Sequence, residues 1–180
     1  MDYQFTDKHF KETYDYLENH FLNNEFVNRL ITHLSTIGDV YLVGGAAKNI
    51  AFFKQTPKDY DLVVVYPFKE MSIESFVIPI CNEFDTNISS TAFDGMNIQH
   101  KHLDIDLWNV DKKEDLLFQL NLDNLFINLT QQTYEAEQFN QAIKSGIISE
   151  VNPKLAHPSE ERNKERLYKY AKMFDLKIID

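Results

Sequence analysis

One cysteine, Cys81, is present in 180 residues. An intrachain disulfide is therefore excluded, and a reducing, cytoplasmic setting is the expectation. The chain also lacks an apolar run of about 18 residues, the length a membrane-spanning helix needs. Positive charge is scarce: 18 Lys and Arg stand against 28 Asp and Glu, for a formal net charge of −10. A surface of that sign repels a phosphate backbone, which argues against extensive non-specific nucleic-acid binding and leaves only a local basic patch as a route to it. The first residues, Met1-Asp2-Tyr3-Gln4, show no basic stretch followed by an apolar one, so no signal peptide is expected. Internal repeats, low-complexity tracts and flexible linkers are also missing.

What is present is enough apolar and aromatic material, 43% and 13%, to fill the core of one domain. Thr6 is placed to cap a helix with Phe10, Tyr14, Leu17 and Phe21 on one face. Asn23-Asn24 breaks it, and a second helix carries Phe26, Val27, Leu30, Ile31 and Leu34, ending by Gly38. Val40–Val43 reads as a buried strand, Ala46–Phe53 as a short helix and Tyr60–Tyr66 as the next strand. Ser72–Phe84 reads as a helix that Pro79 should kink or end. Asn87–Phe93, the Asp94-Gly95 turn and Met96–Leu107 read as a hairpin. Further on, Asp111–Leu120 is a short helix or turn, and Leu125–Leu129 is either a strand or a helix start. Phe139–Lys144 is helical to Gly146, residues 152–158 form a loop, and a last helix runs from Ser159 to about Phe174. The expectation is an α+β fold: a small mixed sheet with helices over residues 1–120, and a helical extension packed on it over 121–180.

The stretch from Gly44 to Asp61 carries the chemistry. A buried strand leads into Gly44-Gly45 and a helix start, where backbone N–H groups favour an anion. The next strand opens with Asp59-Tyr60-Asp61, whose carboxylates point to one face. A later strand alternates, with Leu103, Ile105 and Leu107 on one side and His100, His102, Asp104 and Asp106 on the other. Nucleotidyl transfer is largely positioning and charge neutralisation, and two metal ions about 3.5–4 Å apart can clamp the attacking and leaving oxygens. Magnesium takes a few carboxylate oxygens and completes its shell with phosphate and water. Asp59, Asp61 and either Asp104 or Asp106 fit that demand. His100 and His102 beside the later carboxylates offer a transition-metal site as the alternative, set against a plain exposed strand start. His9, His20 and His33 read as surface or boundary residues, and Trp108 and the tyrosines as core, with Tyr60 also placed to flank the carboxylates. Arg162, Arg166 and Lys169 form a basic stripe on the last helix, either a wall against phosphate or acceptor or a solvated face paired with Glu160, Glu161 and Glu165.

Leu42-Val43-Gly44-Gly45-Ala46-Ala47-Lys48-Asn49, Lys58-Asp59-Tyr60-Asp61-Leu62-Val63 and Ile105-Asp106-Leu107-Trp108 together resemble the polymerase β-like nucleotidyltransferases. The resemblance is greatest to the head domain of tRNA CCA-adding enzymes and bacterial poly(A) polymerases. Phe126-Ile127-Asn128 and Arg166-Leu167-Tyr168-Lys169-Tyr170-Ala171 are similar to segments further along that family's chain. The resemblance implies transfer of a nucleoside monophosphate from an NTP to a hydroxyl, with two Mg²⁺ and release of pyrophosphate. It implies Asp59, Asp61 and Asp106 as catalytic metal ligands, and Gly44, Gly45, Lys48, Lys58 and Arg166 as nucleotide-binding residues. Lys48 and Asn49 replace the family's Arg and Asp in the glycine turn, and Asp123-Asn124 stand where the family has Arg. The base-selecting Glu-Asp-x-x-Arg motif is not found in these residues, so a CCA-adding activity is not the expectation. The acceptor is left open between an RNA 3′ end, a protein hydroxyl and a small molecule. A non-catalytic nucleotide-binding or protein-interaction module is the rival reading.

Overall fold

The computed structural model describes residues 3–67, 72–91, 95–153 and 159–179. Its first helix, α1 (Asp7–Leu17), runs into a wider turn over Glu18–Leu22. Thr6 has the extended backbone of a cap, but its hydroxyl meets the ring of His9 at 2.9 Å instead of a backbone N–H. Asn24, by contrast, does cap α2 (Glu25–Leu34), accepting from the Val27 N–H at 3.3 Å. β1 (Asp39–Val43) leads through the glycine pair into α3 (Gly44–Lys48) and a wide turn at Asn49–Phe53. β2 is Tyr60–Val65 and α4 is Glu74–Glu83. Pro79 lies inside α4 without ending it. It is exposed, so its ring and the Ser75 carbonyl it leaves without an N–H partner both face water.

β3 (Asn87–Ser90), β4 (Met96–His100) and β5 (Leu103–Val110) follow. The single strand expected over Met96–Leu107 is two strands. Lys101, with φ +54, and His102 form a tight turn that folds β5 back on β4. The expected turn at Asp94 lies outside the described residues, as do residues 154–158 of the loop expected over 152–158. Beyond β5 come β6 (Phe126–Asn128), β7 (Thr133–Glu135), α5 (Glu137–Ser145), β8 (Ile147–Ile148), α6 (Glu160–Phe174) and β9 (Lys177–Ile178). Gly146 ends α5 with φ +71, and Ser159 caps α6 by accepting from the Arg162 N–H at 3.3 Å.

Among the described residues the main sheet has seven strands in the order β3-β4-β5-β2-β1-β6-β7, with β2 and β5 parallel and the other pairs antiparallel. β8 and β9 form a separate parallel pair. The architecture is α+β, as the sequence implies. The expected division near residue 120, however, falls between strands of one sheet. β6 pairs with β1 (Leu42 opposite Ile127), so the C-terminal third supplies strands as well as helices.

The two faces of the sheet differ. On one, Leu42, Leu62, Val64, Ile98, Ile105 and Leu107 are buried against Phe26, Leu30 and Leu34 of α2 and Val77 and Ile80 of α4. On the other, Tyr41, Val43, Val63 and Phe126 form a smaller cluster with Trp108 and Phe118. The strand period of two assigns Asp61 and Asp106 to this second face. α6 is anchored elsewhere, by Phe174 packing on Tyr3, Phe52 and Phe139 at ring distances of 5.1 to 5.9 Å.

Candidate active site

The C-terminal end of β1 lies beside the N-terminal halves of β2 and β5, and the register brings their chemistry into line. Val43 is opposite Asp61, and Asp61 is beside Asp106 across the parallel β2–β5 pair. Tyr60, between Asp59 and Asp61, faces the other way and stacks on Phe21 at 3.9 Å. Its burial pushes its hydroxyl up to about 12. It is a core residue and does not flank the carboxylates. Asp59 sits in the turn just before β2, and Lys58 beside it is exposed.

Gly44 is required by this arrangement. It has φ +69, and a Cβ there would meet the Asp61 Oδ2 at 2.3 Å. The glycine turn is therefore pressed directly against a carboxylate of the next strand. Gly45 is under no such demand, since the nearest atom to a Cβ at that position would be Asn49 Nδ2 at 4.0 Å. The space beside Gly45 is open.

Crowding shows in the acidity of Asp61. Burial, then the neighbouring charges of Asp59 and Asp106, push it from 3.8 to about 7, against the opposing pull of Arg166 and Lys48. Asp106 accepts at Oδ1 from the Asn97 amide at 2.9 Å, and the same amide also donates to Asp104. Asn97 stands opposite Asp106 across the β4–β5 pair. Its role was hidden in the sequence because the turn at Lys101-His102 was not legible. Asp106 is thus the register partner of Asp61, with Asp104 two residues before it on the same face.

The same turn removes His100 and His102 from the carboxylate face. His100 is the partner of Leu103 and shares its core-facing side, stacked on Phe26 at 4.7 Å. Burial lowers its pKa. His102 is exposed in the turn. Among the described residues, no three His, Cys, Asp or Glu side chains close on a point as a self-sufficient metal cage. An open carboxylate edge still suits magnesium, which takes its remaining ligands from phosphate and water. The mutual repulsion recorded at Asp61 is relieved when a cation binds there.

Lys48 is not presented to solvent. Its side chain is 1% exposed, and Nζ donates to Asp123 Oδ1 at 2.8 Å and to the Leu122 carbonyl at 3.2 Å. The ammonium also lies 4.3 Å from the centre of the Tyr170 ring. Burial acts to lower the pKa of Lys48, but the Asp123 carboxylate outweighs it and holds the group above its ordinary value. Arg166 of α6 reaches the other oxygen of Asp123, Oδ2, at 2.8 Å. Asp123 and Tyr170 are thus joined to Lys48 and Arg166; the sequence marked Tyr170 only as a core-side residue of the last helix, and Asp123 only as an acid where an arginine was expected. A groove of about 430 Å³ lies along α6 beside Arg162, Arg166, Lys169 and Tyr170.

No protein-family model and no curated protein matches the sequence. Solved structures do match it. A CCA-adding enzyme in an apo form superposes on 94% of this chain and 43% of its own length, with TM-score 0.65 and 18% identity. The fold is that of the CCA-adding enzymes. The Thermotoga maritima CCA-adding enzyme complexed with tRNA matches over 92% of this chain and 42% of its own, with TM-score 0.65 and 17% identity. A complex of a CCA-adding enzyme with ATP matches over 97% and 43%, with TM-score 0.62 and 18% identity. At such identities the likeness concerns the fold, and the chain spans less than half the length of each of these enzymes.

Proposed function

We propose that the protein is a magnesium-dependent nucleotidyltransferase that moves an NMP group from an NTP to a hydroxyl acceptor. The observation that carries this reading is the pairing of Asp61 with Asp106 across two parallel strands, with Gly44 closed against Asp61. That the same fold occurs in enzymes solved with ATP and with CTP adds support.

In this reading Asp59 and Asp61 would hold both Mg²⁺ ions and Asp106 would hold the one on the acceptor side, and the metals would supply charge neutralisation for the phosphates. The Gly44-Gly45 backbone gives the triphosphate close approach, Lys58 and Arg166 supply positive charge at its edge, and Lys48 supports Arg166's partner from below. Asn97 orients Asp106, which accepts the proton of the attacking hydroxyl. The acceptor oxygen bonds to the α-phosphorus as the bond to the bridging oxygen breaks, and pyrophosphate leaves. The acceptor is an RNA 3′ end, a protein hydroxyl or a small molecule, and a net charge of −10 suits a cationic acceptor better than a long RNA. The lone thiol, buried at Cys81, suits a cytoplasmic setting.

The test is pyrophosphate release from each of the four labelled NTPs in Mg²⁺, with cell extract as the source of acceptor. Asp59→Asn and Asp61→Asn should each abolish release while the circular dichroism spectrum stays unchanged. Wild-type release by both variants would refute the assignment.

One observation favours the second reading, a nucleotide-binding or protein-interaction module without turnover. Lys48, the cation of the glycine turn, is already consumed by Asp123. Calorimetric NTP binding with Mg²⁺, but no pyrophosphate release with any acceptor tried, is the outcome that reading requires.

A further inference from the structure

The geometry points to Asp123 as a resident anion paired with the site's two cations, so that an incoming phosphate must share Arg166 with it or take Arg166 away. The inference rests on the nucleotide reading of the site and adds a determinant of its affinity. Asp123 is fully buried and divides its two oxygens between two cations, Lys48 Nζ and Arg166 Nη2, each at 2.8 Å. The two cations are not equivalent. Lys48 is enclosed by the Leu122 carbonyl and the Tyr170 ring, with 1% of its side chain exposed. Arg166 is 38% exposed and borders the groove along α6, with Arg162 and Lys169 on either side of it and Glu165 on the same wall. Only Arg166 can be shared with a solute.

A guanidinium carries five donors in a rigid fork. It can hold Asp123 with one edge and turn the other to a phosphate, or exchange one anion for the other. In either case the carboxylate dilutes the positive charge on offer. After the exchange Asp123 retains Lys48, so no buried charge is stranded. This makes Arg166 the movable partner and Asp123 a positioning residue that acts through it.

The probe is inorganic tripolyphosphate in Mg²⁺, titrated calorimetrically into the full chain. Asp123→Asn, which keeps an oxygen for Lys48 but removes the charge, should bind it about tenfold more tightly than wild type. Arg166→Gln should bind more weakly, and the double variant should lose the gain. An Asp123→Asn variant that binds no more tightly, or a gain that survives loss of Arg166, overturns the proposal. Should Asp123→Asn fail to fold, Lys48→Met/Asp123→Leu replaces the buried pair with apolar groups and still frees Arg166. It should bind more tightly than wild type, and equal or weaker binding is again decisive against. Tripolyphosphate has no nucleoside to transfer, so this result is independent of turnover. Tightening without any NTP turnover would sink the transferase reading alone, and turnover without tightening would sink this one alone.

Discussion

Asp61 is where the fold and the chemistry conflict most directly. Its carboxyl is buried beside two others and titrates at about 7 in the folded chain against 3.8 in the open. A raised acid favours the folded state in its protonated form. That contribution is complete below 3.8 and is lost as the pH climbs to about 7. In EDTA the wild-type melting temperature should therefore fall across this window relative to that of Asp61→Asn. The gap, on the order of a few kcal/mol, should level off above the upper value. A pH-independent gap would show that Asp61 is not held in this environment. The Asp-x-Asp pattern and strand parity placed Asp61 and Asp106 on one face from the sequence alone. The partners that set their behaviour were not legible. Asn97 was concealed by a misread turn, and Asp123 joins Lys48 from 75 residues away, a separation that no local pattern encodes.

At the scale of elements, the β1–α3 turn separates two kinds of glycine that look identical in the sequence. Gly44 pairs a positive φ with an occupied Cβ position, whereas Gly45 has open space. Gly44→Ala should cost about 1–3 kcal/mol by denaturant titration, from the left-handed backbone and the displaced carboxylate. Gly45→Ala should leave stability unchanged or slightly raised, since alanine favours a helix over glycine by about 1 kcal/mol, yet it should weaken Mg²⁺–NTP binding. Equal stability losses at both positions, or undiminished binding by Gly45→Ala, would contradict these roles. The elements themselves were mostly readable because their apolar periods are clear: both N-terminal helices, β1, β2, α5 and α6 lie where periodicity puts them. One failure has a local cause: a turn made by Lys101 at positive φ carries no glycine or asparagine signal. Leu125–Leu129 was undecidable in sequence because a three-residue strand is too short to show a period.

For the whole molecule, the sheet order decides what counts as a unit. β1 lies between β2 and β6, and Leu122, Leu125 and Ile127 are fully buried. A chain cut after residue 120 would bare the backbone edge of β1 and leave Lys48 buried without Asp123. Such a fragment should be insoluble or aggregate in size-exclusion chromatography, while the full chain elutes as a compact species. A soluble fragment with a cooperative melt would overturn the single-sheet view. The boundary drawn from sequence gave residues 121–180 to a helical extension, and only pairing over long separations shows that β6 and β7 join the main sheet.

The position of β6 also fixes an order in time. A ribosome delivers Asp59, Asp61 and Asp106 before it delivers Asp123, the last two strands of the sheet or Arg166. The nascent chain thus exposes its acidic edge while the sheet is unfinished, with Lys48 as the sole cation of the ion-pair network yet made. Cations in the surrounding solution are then the available counter-charge while the sheet beside the acidic edge is still open.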